Sequence, residues 1–412
     1  MNLLIRIVVI SLVIIVSDIY FYRLIKNLFI KNGKGRRLLK AIIFIQAIAF
    51  IIFEACCILV IGYPLDDYVK YRQLFILLNA FILMYLPKSV TAVFLIFHDI
   101  FRIIPIIFRH KNGKEKKRSK ICYVAALFVF LAVLAICIQG FTCGKTNVTI
   151  RKIDLSFSRL PGSFENFRIV QISDLHLGSF KDLKPFIQYM KLIGQLSPDI
   201  LVSTGDMINV SDRELDPFDS LFRKIKPPYG KYSILGNHDI GDYFQMKRPE
   251  NTEEITQKLI QRQTDMGFLV LIDSACYIKK DNDSLALIGV NNWGTFPFKK
   301  NGNLNKATAG TADNDFKILL SHDSNHWLYE VSGKTNIELT LSGHTHGMQL
   351  GFITNFIKFS PSRLIYKFWQ GLYGSGEQKL YVNPGLGYSG FSARIGIRPE
   401  ITLIILHRKS SP

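Results

Sequence analysis

The sequence predicts a membrane-embedded helical region followed by an α/β domain. Apolar residues are unevenly distributed along the 412-residue chain, and their overall share of 48% is high for a soluble protein. Residues 1–143 contain four long hydrophobic runs, whereas residues 144–412 alternate short apolar segments with polar, Gly-rich and Asp-rich turns. We therefore place a domain boundary near Cys143, with a membrane region at 1–143 and a globular domain at 144–412.

Each hydrophobic run is about as long as a helix that crosses a bilayer. The runs cover roughly residues 3–25, 38–62, 74–97 and 121–142. About twenty consecutive apolar residues suffice to cross the hydrocarbon core, so we predict four transmembrane helices. A cleavable signal peptide is not expected, because no small-residue cleavage site follows the first run and further runs come after it.

Polar residues interrupt three of the runs. Asp18 lies in the first, Glu54 in the second and Pro87-Lys88 in the third. Ionisable groups inside a membrane usually face protein or water. Two interpretations stay open, namely pairing within the helix bundle and a transport or ligand role. Pro87-Lys88 also leaves open whether the third run bends, tilts or crosses.

The net charge of +19 is concentrated in short loops beside the membrane. The segment 23–37 carries six Lys or Arg and no acid, and the segment 102–120 carries eight against Glu115 alone. Because Lys and Arg in short loops stay in the cytoplasm, both segments are predicted to be cytoplasmic. The prediction is a multi-pass protein of the cell (inner) membrane with its C-terminal domain outside the cytoplasm. Charge in this position argues against nucleic acid as a partner and indicates a lipid bilayer instead.

The C-terminal domain has the pattern of an α/β fold. Residues 182–196 and 251–265 are predicted helices between the earlier strands. The predicted strands lie in the segments RIVQIS, DILVSTGD, KYSILGNHD, SLALIGVNN, FKILLSHD, IELTLSGHTH, KLYVNPG and ITLIILH.

Candidate metal-binding or proton-transfer groups follow five of these strands. They are Asp174, His176, Asp206, Asn237, His238, His322, His344 and His346. Oxygen and imidazole donors without cysteine suit manganese, iron or zinc, and they differ from the closely spaced Cys and His of structural zinc sites. Each short motif alone is weak. Their co-occurrence after successive strands predicts a metal centre.

In their order, these motifs resemble the calcineurin-like metallophosphoesterase superfamily. The motifs are D-x-H (Asp174, His176), G-D (Gly205, Asp206), G-N-H-D (Gly236 to Asp239), S-H (Ser321, His322) and G-H-T-H (Gly343 to His346). The C-terminal stretch YVNPGLGYSGFSARIGIRPEITLIIL is similar to the bacterial YkuE/YaeI-type branch, and the resemblance covers roughly residues 165–408. It implies two mixed β-sheets packed face to face, with helices outside and two metal ions at the carboxyl edge of the strands.

The resemblance also implies a role for each motif residue. The first ion would be bound by Asp174, His176 and His346, the second by Asn237, His322 and His344, and Asp206 would bridge them. Two divalent or trivalent ions (Mn, Fe or Zn) would share a hydroxide that attacks a phosphomonoester or phosphodiester, while His238 assists the leaving group. The implied substrate is a phosphorylated small molecule or lipid.

The chain departs from the family pattern at two positions. Asn209 stands where relatives commonly carry a second Asp. A neutral amide can still hold the His238 ring by a hydrogen bond, but it cannot stabilise an imidazolium as a carboxylate would. Met348 stands where many relatives carry glycine. For Arg394 and Arg398, contact with a substrate phosphate and a structural role both stay open.

Three classes of function follow. The leading one is a membrane-tethered phosphohydrolase; if the domain were cytoplasmic, a UDP-linked lipid pyrophosphate would become the preferred substrate. The second is a non-catalytic metal-containing binding module. The third, a transporter or sensor, needs more polar pore-lining residues than Asp18, Glu54 and Lys88.

Overall fold

The computed structural model describes residues 3–30, 35–62, 68–108, 120–242, 252–296, 298–354 and 356–409. The chain divides into two compact units, one formed by Met1–Tyr63 with Gln73–Gln139 and the other by Pro64–Arg72 with Gly140–Pro412. The predicted fold class is confirmed, because apolar helices make up the first unit and a mixed α/β domain with two sheets makes up most of the second.

The membrane region is helical throughout its described part. Its helices are α1 (Leu3–Phe29), α2 (Arg36–Gly62), α3 (Tyr68–Phe108) and α4 (Lys120–Gln139). Among the described residues, three stretches are long and apolar enough to cross a membrane: Val8–Phe29, Phe75–Ile103 and Lys120–Gly144. The apolar stretch Leu39–Phe53 in α2 is shorter, so four crossings remain a prediction.

Helix α3 continues through Pro87. It has 41 residues, which corresponds to about 60 Å of helix and exceeds the thickness of a hydrocarbon core. Thr91 Oγ1 donates a hydrogen bond to the Pro87 carbonyl oxygen at 2.7 Å. The break that Pro87-Lys88 suggested in the third run is therefore not present in the helix.

Asp18 is paired inside the helical unit. Its carboxylate accepts hydrogen bonds from Gln46 Nε2 at 2.9 Å, from Lys88 Nζ at 2.8 Å and from the Tyr85 hydroxyl at 3.3 Å. The partners come from α2 and α3, and Asp18 itself is in α1. Asp18 is therefore paired within the helix bundle, as the first of the two interpretations holds, and these contacts do not resemble an open pore. The Glu54 side chain and the basic segments 31–34 and 109–119 lie outside the described residues.

Within the described part of the chain, the strands and the remaining helices lie in the second unit. The helices are α5 (Lys184–Gln195), α6 (Asp219–Arg223), α7 (Thr252–Asp265) and α8 (Leu304–Thr308). The strands are β1 (Thr149–Phe157), β2 (Phe167–Ile172), β3 (Ile200–Ser203), β4 (Lys231–Ser233), β5 (Phe268–Val270), β6 (Ser274–Lys280), β7 (Asp283–Gly289), β8 (Lys317–Leu320), β9 (Leu339–Ser342), β10 (Phe352–Ile353), β11 (Lys358–Phe359), β12 (Gly371–Ser375), β13 (Gln378–Val382) and β14 (Glu400–Arg408).

Two six-stranded sheets place the strand ends that carry the motifs on one edge. Their strand orders are β1-β14-β2-β3-β4-β5 and β12-β13-β9-β8-β7-β6. Strands β2, β3 and β4 are parallel, as are β7, β8, β9 and β13. The carboxyl ends of parallel strands share an edge, so the loops after β2, β3 and β4 meet on the first sheet and those after β8 and β9 on the second.

The main core lies between the two sheets. Ile169 of β2 and Val202 of β3 belong to the same buried cluster as Ile318 of β8 and Leu341 of β9. Neighbouring residues such as Val170 point to the opposite face, where they pack with α5, α6 and α7 in a second cluster. This alternation gives the layered arrangement of helices, sheet, sheet and helix that positions the strand ends.

Candidate metal centre

The predicted ligands sit on unusual backbone at the strand ends. Five of them adopt left-handed φ angles of 43–69°: Asp174, His176, Asp206, His344 and His346. Such conformations are uncommon for residues other than glycine and cost of order 1–3 kcal/mol each. Their concentration at one sheet edge is typical of a functional site, because the backbone bends to aim these side chains.

Glycines in the motifs allow the loops to approach closely. A Cβ atom on Gly236 would overlap Asp206 Oδ1, and one on Gly343 would overlap the side chains of Ser173 and Asp174. Only glycine fits where another chain segment comes this close. The G-N-H-D and G-H-T-H motifs therefore need their glycines for packing as well as their histidines for chemistry.

One group of donors forms where the loops after β2 and β9 meet. His176 Nε2 and His346 Nε2 are 3.0 Å apart, and His346 Nε2 is 3.2 Å from Asp174 Oδ1. Asp206 Oδ2 lies 3.7 Å from His176 Nε2. All four side chains are buried or nearly so. This group contains the three residues predicted for the first ion.

A second group forms around the other side of Asp206. Asp206 Oδ2 is 3.2 Å from His322 Nε2, which is itself 3.2 Å from His344 Nδ1. The other ring nitrogen of His322 donates to the Thr204 carbonyl oxygen at 2.7 Å, which fixes the ring. Among the described residues, Asn237 Oδ1 is buried and has no hydrogen-bond partner.

These donors fit metal ions. In each of three overlapping groups, the candidate ligand atoms lie within 4.8 Å of one another: Asp174, His176 and His346; His176, Asp206 and His238; Asp206, His322 and His344. Carboxylates, an unpartnered amide oxygen and facing imidazole nitrogens are costly to bury together unless a cation joins them. The donor set is hard to intermediate, which suits manganese, iron or zinc.

The surroundings of most of these histidine rings favour the neutral form, which is the form that binds metal. Burial lowers the pKa of His176 and of His344, which favours the neutral imidazole in both. Burial also lowers the pKa of His322, but the adjacent Asp206 carboxylate outweighs it and raises that pKa to about 10. Binding of a cation requires loss of this proton, so metal binding is coupled to proton release at His322.

His238 is oriented by the main chain. Its Nδ1 donates to the Asn209 carbonyl oxygen at 2.9 Å, and its ring packs edge-on against His176 with centroids 4.6 Å apart. The Asn209 side chain instead donates to Glu214 Oε2 at 3.1 Å and Ser179 Oγ at 3.2 Å. The His238 ring is therefore held by the main-chain carbonyl of Asn209, while the Asn209 side-chain amide bonds to Glu214.

Sequence reasoning missed several neighbours of the cluster. The Tyr366 hydroxyl lies 2.8 Å from His344 Nε2, and Phe298 packs edge-on against the same imidazole at 5.2 Å. Asp239 accepts backbone N–H bonds from Gly236 at 2.9 Å and Met207 at 2.9 Å, which ties two ligand loops together. Tyr366 and Phe298 lie in loops without a motif. Asp239 could have been identified from the sequence, because it is the last residue of the G-N-H-D motif.

Arg394 is buried behind His346. It is 1% exposed, and it donates to the Gly387 carbonyl oxygen from Nε and to the Pro384 carbonyl oxygen from Nη2, both at 2.9 Å. Its Nη2 also lies 3.3 Å from His346 Nδ1. The residue therefore supports the loop behind His346. Arg398 is exposed, and Met348 is half-buried with a left-handed φ of 48°.

A cluster of carboxylate, amide and imidazole donors on the shared edge of two packed sheets is typical of the metal centre of a hydrolase. Comparison with known families gives its identity. The sequence model of the family described as Calcineurin-like phosphoesterase matches residues 167–348. A second, described as Probable Calcineurin-like phosphoesterase, transmembrane domain, matches residues 1–145. The chain belongs to the calcineurin-like metallophosphoesterases and is a membrane-associated phosphoester hydrolase.

Two curated relatives match a large part of the chain. The uncharacterized metallophosphoesterase YkuE of Bacillus subtilis is 31% identical over 254 residues, which are 60% of this chain and 82% of YkuE. The bovine "Transmembrane protein with metallophosphoesterase domain" is 26% identical over 303 residues. That alignment covers 71% of this chain and 65% of the bovine protein, so the chain spans slightly less than two thirds of this relative. The solved structure of the Haemophilus influenzae NAD nucleotidase NadN aligns at a TM-score of 0.36 and 16% identity, over 54% of this chain and 45% of NadN.

Proposed function

We propose that the chain is a membrane-anchored phosphohydrolase that uses two metal ions to cleave phosphomonoester or phosphodiester bonds. The observation that carries this proposal is the position of Asp206. Its Oδ2 faces His176 Nε2 at 3.7 Å on one side and His322 Nε2 at 3.2 Å on the other. A carboxylate between two donor groups suits a pair of ions better than one ion.

Each group supplies the ligands for one ion. Asp174, His176 and His346 would hold the first, and Asn237, His322 and His344 the second, with Asp206 common to both. Bound cations of this kind, manganese, iron or zinc, neutralise charge on phosphoryl oxygens and lower the pKa of water. The neutral amide of Asn237 limits the negative charge of the centre, which favours approach of an anionic phosphoester.

His238 is proposed to assist the leaving group. Since the Asn209 carbonyl oxygen can only accept, His238 Nδ1 carries a proton, and Nε2 is the nitrogen proposed to donate to the leaving group. The ring must be protonated to donate from Nε2. Burial lowers the pKa of His238, and the charge of Asp206 opposes that effect. Asp206 therefore supplies part of the stabilisation that a second carboxylate gives in relatives.

Hydrolysis by the full-length protein tests the proposal. We expect metal-dependent hydrolysis of p-nitrophenyl phosphate or its diester, and loss of both bound metal and activity in Asp206→Asn. His407→Gln serves as the control, because β14 runs antiparallel to β2 and places His407 near the opposite edge of the sheet. Metal binding without any turnover would instead support a non-catalytic binding module, and wild-type activity in Asp206→Asn would refute the two-ion site.

The leaving-group role of His238 has its own test. His238→Ala should retain the ions but slow hydrolysis by about 10²–10⁴-fold for alkyl phosphates, whose leaving groups need a proton. The loss should be much smaller for p-nitrophenyl esters. An equal loss for both classes of ester would exclude a role in protonating the leaving group.

We also propose that the hydrolase domain faces away from the cytoplasm. The basic segments 23–37 and 102–120 support this orientation. An alkaline phosphatase fusion at the C-terminus should be active, since that reporter folds only outside the cytoplasm. An inactive phosphatase fusion with an active cytoplasmic reporter would reverse the orientation and favour a UDP-linked lipid pyrophosphate as substrate.

A further inference from the structure

An exposed apolar segment follows the G-H-T-H loop. It contains the two-stranded hairpin of β10 and β11 and the turn after it, and we call residues 352–354 and 356–365 the apolar hairpin. Phe356 is 95% exposed and Leu364 is 89% exposed. Phe352, Ile357, Phe359 and Ile365 are also exposed. Scattered apolar residues are ordinary on a protein surface, but a contiguous set of this kind marks an interaction site.

The hairpin has no sheet to support it. Strands β10 and β11 pair only with each other among the described residues, through two residue pairs. An isolated two-stranded hairpin is at best marginally stable in water. Its apolar side chains therefore need a partner outside the two main sheets.

The charge around the hairpin indicates the chemistry of that partner. Residues 349–376 contain no Asp or Glu. Arg363 and Lys367 lie beside the apolar side chains and are exposed. Apolar residues combined with basic ones are the composition of segments that lie in the interface of a bilayer with anionic lipids.

The chain itself keeps a bilayer close to the domain. The apolar stretch Lys120–Gly144 is suited to crossing a membrane, and β1 begins at Thr149. A short covalent link of this kind gives a membrane surface a high effective concentration at the domain. Of the surfaces that could cover the hairpin, the bilayer is thus the one always within reach.

Two contacts connect the hairpin and the residue after it to the G-H-T-H loop. Ser360 Oγ donates to the Gly347 carbonyl oxygen at 2.6 Å, next to His346. Tyr366 directly follows Ile365, and its hydroxyl lies 2.8 Å from His344 Nε2. A substrate group at the surface that the hairpin contacts would therefore lie close to His344 and His346, two of the predicted ligands.

We propose that the apolar hairpin docks on the surface of the lipid bilayer and presents the metal centre to phosphoesters whose lipid chains remain in the membrane. The substrate class rests on the phosphohydrolase function proposed above. The proposed docking on the bilayer does not rest on that function, since it depends only on exposed side chains and charge.

Quenching by lipids tests docking independently of catalysis. The three tryptophans of the chain, Trp293, Trp327 and Trp369, are each at most 3% exposed and give a constant background. Phe356→Trp would be placed in the full-length protein in nanodiscs of anionic lipid carrying brominated acyl chains. Leu269→Trp is the matched control, because Leu269 is 50% exposed and lies on the edge strand β5.

We expect clear loss of the added fluorescence for Phe356→Trp and little loss for Leu269→Trp. Equal quenching at the two positions would overturn the proposal. A photo-crosslink from position 356 to a second copy of the chain, without quenching, would also overturn the proposal. It would show that the partner of the hairpin is protein and not lipid.

A second comparison tests the substrate class. Phe356→Ser with Leu364→Ser should lower hydrolysis of a phosphoester embedded in vesicles several-fold while leaving hydrolysis of p-nitrophenyl phosphate unchanged. Equal effects on both substrates would refute the presentation of lipid substrates. Absence of hydrolysis of either substrate in the unmodified protein would instead refute the phosphohydrolase function, so the two failures are distinguishable.

Discussion

His344 is held from two sides, and this arrangement decides which of its nitrogens can bind metal. Its Nδ1 faces His322 Nε2 at 3.2 Å, whereas its Nε2 lies 2.8 Å from the Tyr366 hydroxyl. If Nδ1 binds a cation, Nε2 carries the proton and donates to Tyr366. Hydrogen bonds of this kind fix the tautomer and orientation of a metal ligand.

Removing the Tyr366 hydroxyl should therefore weaken metal binding. We expect Tyr366→Phe to lower the affinity for the second ion by about 10- to 100-fold, the usual effect of losing such a partner. The measurement is metal titration of the full-length protein in competition with a chelator. Tyr277→Phe is the control, because it removes an exposed hydroxyl that donates to Asp315. Unchanged affinity in Tyr366→Phe would show that the contact only packs the loop.

At the residue level, the motifs predicted which side chains the fold brings together but not what orients them. Asp174, Asp206 and His346 were predictable because they stand in short motifs after apolar strands. Their left-handed φ angles were not predictable, since they depend on how neighbouring loops meet. Tyr366 was equally hidden, because it lies between β11 and β12 in a segment without a motif.

At the level of elements, buried strands were predictable and exposed ones were not. Strands such as β3, ILVS, and β8, KILL, are fully buried and consist mainly of apolar residues. Strand β1, TIRKIDLSF, lies at a sheet edge with several exposed polar residues. It is a strand because it pairs in parallel with β14, which comes from the end of the chain. Such long-range pairing leaves little local signal.

The pairing of Asp18 with Lys88 leads to a prediction about the helical elements. The Lys88 side chain is 7% exposed, and Asp18 also accepts from Gln46 on a third helix. Lys88→Met leaves the carboxylate without its cation, and breaking a buried pair in this way typically costs about 3–5 kcal/mol. We expect a lower thermal midpoint for the full-length protein in detergent micelles.

The double variant separates pairing from packing. Asp18→Asn combined with Lys88→Met removes both charges and should recover most of the lost stability, because neither side chain then carries an unpaired charge. If the double variant is as unstable as Lys88→Met, the loss comes from packing around Lys88. If Lys88→Met is as stable as the parent, the ion pair does not stabilise the bundle.

On the scale of the whole molecule, the candidate metal centre connects chemistry with folding. The buried carboxylates of Asp174 and Asp206 lie beside four imidazoles at the junction of two sheets. Loops after β2, β3, β4, β8 and β9 converge there, so the ligands are assembled only in the folded domain. Ions that bind the folded state and not the unfolded chain stabilise it by mass action, by about 2.7 kcal/mol at a hundred times the dissociation constant.

Chelation of the metal should therefore lower the melting temperature of the hydrolase domain, and manganese or zinc should restore it. Tryptophan fluorescence reports this domain alone, because Trp293, Trp327 and Trp369 are the only tryptophans of the chain and lie beyond residue 143. Asp206→Asn should melt at the same temperature with and without metal, since the shared ligand is gone, whereas His407→Gln should respond like the parent. If chelation leaves the melting temperature of the parent unchanged, the cluster folds without cations. The buried carboxylates would then have to be stabilised by protons shared with the neighbouring imidazoles.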